Sequence, residues 1–203
     1  MKAPLYQIQK ELLEELYVVQ NRSMQQIANN LGCSLNRVDY WMRKYGISRR
    51  TRSDATYVRR NPGGDPFTVK VNLTSEEREL YGMGLGLYWG EGTKASPSSV
   101  RLGNSDPGII LKFIEFLEQI YGLSRKNMHF GMQLFTDCSF EEAIDYWTRI
   151  LEIDRKQFYK PIRTISGSIG TYRKKNRYGV VTLYYNNKRL RDILVEQINN
   201  MQR

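Results

Sequence analysis

The chain is short of cysteine, shorter of histidine and without a long apolar run, and each shortage removes a class of protein. Two cysteines, Cys33 and Cys138, are too few for a disulfide scaffold or a zinc finger, and they point to a reducing compartment. The single histidine, His129, argues against a His-rich metal nuclease and against a Ser-His-Asp hydrolase. No apolar stretch approaches the ~18 residues of a membrane span, and the N-terminus lacks a hydrophobic signal region. The expected location is therefore cytoplasmic or nucleoid-associated, with no membrane partner. Acid is also scarce, with 31 Lys and Arg against 21 Asp and Glu and a formal charge of +10. Net charge speaks to association rather than to fold, and this surplus favours a polyanion, nucleic acid ahead of membrane.

What is present suffices for packed cores: 40% of residues are apolar and 12% aromatic. The length leaves room for one large or two small domains. Residues 4–20 read as an amphipathic helix with Ile8, Leu12, Leu13, Leu16 and Tyr17 on its apolar face. Asn21-Arg22-Ser23 breaks it, and Ser23 can cap a second helix from Met24 to Leu31. Gly32-Cys33-Ser34 makes a tight turn. Ser34 caps a third helix running to about Tyr45, closed by Gly46 where a left-handed residue is wanted. Ala28 where two helices would cross, Gly32 in the turn and Val38 and Trp41 as inward anchors are what a helix-turn-helix requires. Residues 8–46 resemble the resolvase-like and phage-regulator members of that class. In such a unit, taken as residues 1–48, the third helix enters the major groove. The side chains then offered to DNA are Ser34, Asn36, Arg37, Tyr40 and Arg43. Asp39 can instead orient a neighbouring arginine.

Residues 41–60 hold Arg43, Lys44, Arg49, Arg50, Arg52, Arg59 and Arg60 against Asp54 alone, and Asn61-Pro62-Gly63-Gly64-Asp65-Pro66 is a string of turn formers. Residues 49–70 therefore read as a basic linker. Two readings stay open, a solvated tether or an arm in which Arg49, Arg50 and Arg52 track phosphates.

The rest, residues 71–203, is organised around Leu80-Tyr81-Gly82-Met83-Gly84-Leu85-Gly86-Leu87-Tyr88-Trp89-Gly90-Glu91-Gly92. This segment is apolar enough for a helix, capped by a Thr74–Glu77 box, yet it carries four internal glycines at roughly 1 kcal/mol each. Gly82, Gly86 and Gly90 fall four apart and line one stripe, along which a second helix can approach almost to backbone contact. Glu91 sits at the C-terminal end, where the helix dipole disfavours an acid. After it come a short strand near Ser98–Leu102, a helix capped by Asp106 with Pro107 in its first turn, and an alternating strand through Phe130 and Leu134. A helix from Phe140 to Leu151 follows. A long hairpin is expected between about Ile162 and Tyr185, turning at Lys174-Lys175-Asn176-Arg177, and a terminal helix from Asn187 to about Met201. The order implies an α+β domain with helices on one sheet face. Arg163, Arg173, Lys174, Lys175 and Arg177 would make the hairpin a basic ribbon suited to the major groove, or a solvated edge protected by charge.

Gly84-Leu85-Gly86-Leu87-Tyr88-Trp89-Gly90-Glu91-Gly92 resembles the helix that names the LAGLIDADG homing endonucleases. Gly86-Leu87 matches its central Gly-Leu, and Gly90-Glu91-Gly92 its closing small residue, acid and glycine. The acid is Glu where Asp is commoner, and glycine replaces the first Leu. The resemblance covers residues 75–200 and implies helix, two strands, helix, two strands, helix, here with a short first hairpin and an extra strand and helix at about 126–152. It further implies a homodimer built through Gly82, Gly86 and Gly90. Glu91 of each copy would hold Mg²⁺ for phosphodiester hydrolysis of double-stranded DNA, and Lys94 would neutralise charge on phosphate. The fold expected is thus an N-terminal all-α helix-turn-helix domain followed by a LAGLIDADG-like α+β domain. Two activities stay open, a metal-dependent DNA endonuclease and a DNA-binding regulator that has lost cleavage.

Overall fold

The computed structural model describes residues 7–165 and 176–201. They divide into two compact units, Met1–Pro66 and Phe67–Arg203.

The first unit is all helical among its described residues. Its first helix, α1, runs from Lys10 to Glu14 and widens into a π-helical turn over Glu15–Val19; residues 7–9 are not helical, and the expected start at Pro4 lies outside the described residues. Leu13, Leu16 and Tyr17 face inward with Ile8 from the preceding segment, whereas Leu12, expected on the same face, is 40% exposed. One residue is a 100° step around a helix, so a stripe centred on Leu13 and Tyr17 turns Leu12 outward. Helix α2 (Met24–Asn30) opens on a reciprocal box: Gln26 N–H donates to Ser23 Oγ (3.2 Å) and Ser23 N–H to Gln26 Oε1 (2.8 Å). Gly32 (φ 60°) turns the chain, Ser34 Oγ accepts from Arg37 N–H (3.3 Å), and α3 (Leu35–Lys44) runs back to Gly46 (φ 71°). Both glycines adopt the left-handed conformation that a side chain resists. Ile27, Ala28, Val38 and Met42 are fully buried between the helices.

The stretch expected to be a linker is largely ordered. Thr51 Oγ1 accepts from Asp54 N–H (3.1 Å) and starts a fourth helix, α4 (Arg52–Arg60). Phe67 is buried in the core of the second unit.

In the second unit, the Thr74–Glu77 box opens α5 (Ser75–Glu91). It leads to β1 (Val100–Asn104), α6 (Pro107–Tyr121), β2 (His129–Phe135), α7 (Phe140–Leu151), β3 (Ile162–Thr164), β4 (Val180–Tyr185) and α8 (Lys188–Met201). Ile110, Phe113, Leu117 and Ile120 of α6 are buried as the pattern predicts. The close helix approach inside this unit uses Gly84: a Cβ there would overlap the Phe116 ring of α6.

The sheet order is β1-β4-β2-β3. β3 and β4 therefore do not pair as the two arms of the expected 162–185 hairpin, because β2 lies between them, antiparallel to β4 and parallel to β3. The physical reason is burial. β2 turns Phe130, Met132 and Leu134 into the core and takes a central position, while the three-residue β3, with Ile162 and Arg163 exposed, suits an edge. The first hairpin is reduced to one bridge, Gly92 to Leu102, so α5 runs almost directly into the sheet. The element order is helix, strand, helix, strand, helix, two strands, helix. Among the described residues no helix is long and apolar enough to cross a membrane.

Candidate nucleic-acid interface

Helix α3 has two sharply different sides. Val38, Trp41 and Met42 fix it to the core. Asn36, Tyr40 and Arg43 are exposed on the other side and Arg37 is half-buried, at the three- and four-residue spacing of one helical face. The Asn36 amide and the Arg37 guanidinium have no side-chain partner among the described residues. Tyr40 is 48% exposed and stands edge-on to Trp41. Ser34 is committed as the helix cap, and Lys44 lies 4.6 Å over the Trp41 ring.

Asp39 has the orienting role. Its carboxylate, 5% exposed, accepts from Arg49 Nε (2.6 Å) and is ion-paired to Arg43. The Arg49 hydrogen bond foremost, helped by Arg43, holds the Asp39 carboxyl below its usual range against the opposing cost of burial. Arg49 is in turn raised by Asp39. Both guanidiniums remain more than half exposed, so the pair is braced without being removed from the surface.

Arg50 is engaged within its own unit. Its guanidinium lies 4.1 Å over the Tyr17 ring and donates to the carbonyls of Tyr17, Asn21 (3.3 Å) and Arg22 (3.2 Å), while its N–H donates to Tyr17 Oη (2.8 Å). It closes the exposed end of α1, where carbonyls would otherwise lack partners. Arg52, Arg59 and Arg60 of α4 are exposed. Between α4 and the α1–α2 corner runs an open groove of about 670 Å³ whose walls include Arg22, Gln26, Thr56 and Arg59.

At the end of α5, Glu91 is exposed and has no partner among the described residues. Lys94 folds back so that its ammonium donates to the Trp89 carbonyl, and its own carbonyl accepts from Arg191. The expected phosphate ligand is thus already engaged in capping the helix. Gly92 is buried, and a Cβ there would overlap Tyr88. Gly82, Gly86 and Gly90 face open space, with nothing within 4 Å of an added Cβ, and Met83 and Trp89 flank them, 51% and 46% exposed. Mg²⁺ needs near-octahedral oxygen coordination, usually with more than one carboxylate or phosphate oxygen. Among the described residues no group of three or more metal-binding side chains occurs, at Glu91 or elsewhere.

β3 and β4 are not neighbours, so the described residues do not form the expected two-stranded ribbon. Arg163 pairs in register with Leu134, so it sits on the edge strand turned toward the helical side of the sheet. Arg177 is bound to Glu142 (2.6 and 3.1 Å), which raises its pKa; the Glu142 N–H donates to the capping Ser139 Oγ (3.4 Å) while its carboxylate holds Arg177. Arg173, Lys174 and Lys175 lie outside the described residues. The open face of the sheet carries other groups, which sequence reasoning missed: Arg101, Tyr184 and His129 in one cross-strand row, and Tyr159 beside them. The alternation of Val180, Thr182 and Tyr184 was the available signal, since it assigns those three to the face opposite Val181 and Leu183.

No protein-family model, curated protein or solved structure matches the chain.

Proposed function

We propose that this is a sequence-specific double-stranded DNA-binding protein that reads the major groove with α3. The observation that carries the reading is the exposed face of α3: Asn36 and Arg37 with free donors, and Arg43 braced by Asp39 on a helix anchored by Val38, Trp41 and Met42. Asn pairs bidentately with adenine and Arg with guanine, and a helix docked through its N-terminal residues brings such side chains to base edges. Arg52, Arg59 and Arg60 on the same unit, with a chain charge of +10, supply phosphate attraction. Selection from a random duplex library with the full chain, at fixed salt, tests this. A common enriched motif is expected; retention without enrichment would reduce the protein to a non-specific binder.

A second reading, cleavage of that DNA, is favoured by the unpartnered Glu91 at the end of a helix whose open face is glycine. A symmetric dimer through Gly82, Gly86 and Gly90 would bring two Glu91 carboxylates together. With purified protein, the selected duplex and Mg²⁺, discrete breaks lost in Glu91→Gln support the endonuclease. Equal binding without breaks in either protein leaves a DNA-binding regulator.

A further inference from the structure

The open sheet face carries a feature that a duplex reader does not need. In register across three strands stand Arg101, Tyr184 and His129, and the next row is Gly103, Thr182 and Gly131. The second row is nearly bare for a steric reason. A Cβ on Gly131 would stand 3.0 Å from the Tyr184 ring and one on Gly103 2.8 Å from Thr182 Oγ1. Without them Tyr184 can recline across β2 toward Gly131. Arg101 lies 5.2 Å from the Tyr184 centroid. Tyr159 reaches the same face, its N–H bound to the Phe130 carbonyl (2.8 Å), and stacks on His129 at 5.3 Å and 8° while meeting Tyr184 edge-on at 5.4 Å. Tyr159 keeps 41% of its surface exposed.

From this juxtaposition we propose that the sheet face is a stacking platform for the unpaired bases of single-stranded DNA, seated on Tyr159, His129 and Tyr184 with Arg101 toward its phosphates. Base-on-aromatic stacking is indifferent to sequence, because every base has a π-face, and it requires bases that are not paired in a duplex. The strand residues of this face carry no carboxylate among those described, so the face suits a polyanion. The reclined Tyr184 ring takes the place that a Gly131 side chain would occupy, so the face offers an aromatic surface there. The choice of DNA over RNA rests on the reading of α3; the platform itself does not.

The test is fluorescence anisotropy of the full chain with labelled oligothymidylate of about twelve nucleotides, a length within reach of one binding face. An abasic strand of equal length, oligouridylate and the selected duplex serve as comparisons. Oligothymidylate is expected to bind more tightly than the abasic strand. Tyr159→Ala is expected to weaken it at least about fivefold, the lower end for one lost stack, with Tyr159→Trp restoring binding and duplex affinity unchanged. Tyr159 is exposed, so this change leaves the core intact; Arg101→Gln provides a second, independent variant with the same direction. Equal affinity for thymidylate and abasic strands, or an unchanged Tyr159→Ala, overturns the platform. Tighter binding of oligouridylate overturns the assignment to DNA. Loss of duplex binding in Arg37→Ala with oligothymidylate binding intact separates the two sites, so failure at α3 is not mistaken for failure at the sheet.

Discussion

Helices α3 and α5 are each buried on one side and open on the other, and their open sides differ completely. That of α3 is crowded with amide, hydroxyl and guanidinium groups over an apolar footing of Val38, Trp41 and Met42. That of α5 is nearly bare: Gly82, Gly86 and Gly90 expose backbone, rimmed by Met83 and Trp89. The first surface is made for hydrogen bonding in a groove, the second for close approach of another surface. Burial alone would have called both helices amphipathic and stopped there.

The largest effect is expected on the buried side of α5. Gly84→Val drives a branched side chain into the Phe116 ring and should destabilise the second unit by about 3 kcal/mol, the upper end of the range for overpacking. No loss at Gly84 would erase the distinction between the two sides. Next comes the end of α1. Arg50→Ala removes charged donors from three carbonyls at the end of α1, and about 2 kcal/mol of stability should go with them, read by urea unfolding. On the open side of α5 the sign reverses. Gly86→Ala should raise the thermal stability of the isolated chain by up to about 1 kcal/mol, because the new Cβ meets nothing and glycine disfavours helix. If a second copy packs there, sedimentation will show dimer dissociation in the same variant.

The smallest effect concerns pH. The Asp39 carboxyl is held low in the folded chain, chiefly by Arg49, so its contribution is complete above the unfolded value of about 4. It is lost as pH falls through the lower folded value. Asp39→Asn should therefore lose less stability than the parent when unfolding is compared at neutral pH and below about pH 4. Parallel acid limbs would mean that the two arginines do not hold Asp39 in solution.

Local signals carried well from sequence to structure, and non-local ones did not. The caps at Ser23, Ser34, Thr74 and Asp106, and the turns at Gly32 and Gly46, rest on contacts within four residues and were all legible. Helix α4 was missed although Thr51 and Asp54 carry a capping signature, because the density of arginine around it reads as a tether. The place of β2 between β3 and β4 was not legible at all. Alternation assigns a strand its faces, but its neighbours are chosen by the burial of the whole sheet. The same limit governs the candidate site. The donors on α3 follow from helical spacing, whereas the engagement of Arg50 by carbonyls and of Arg177 by a carboxylate depends on groups 28 or more residues away.

The most direct test of the central claim is base preference in the selected duplex for the full chain and for Asn36→Ala and Arg37→Ala. Stability should change by no more than about 0.5 kcal/mol in either variant, as for surface positions generally. Each should relax preference at one base pair by about 1–3 kcal/mol, leaving the others intact. Uniform weakening at every position, or no change in preference, would contradict groove reading by α3.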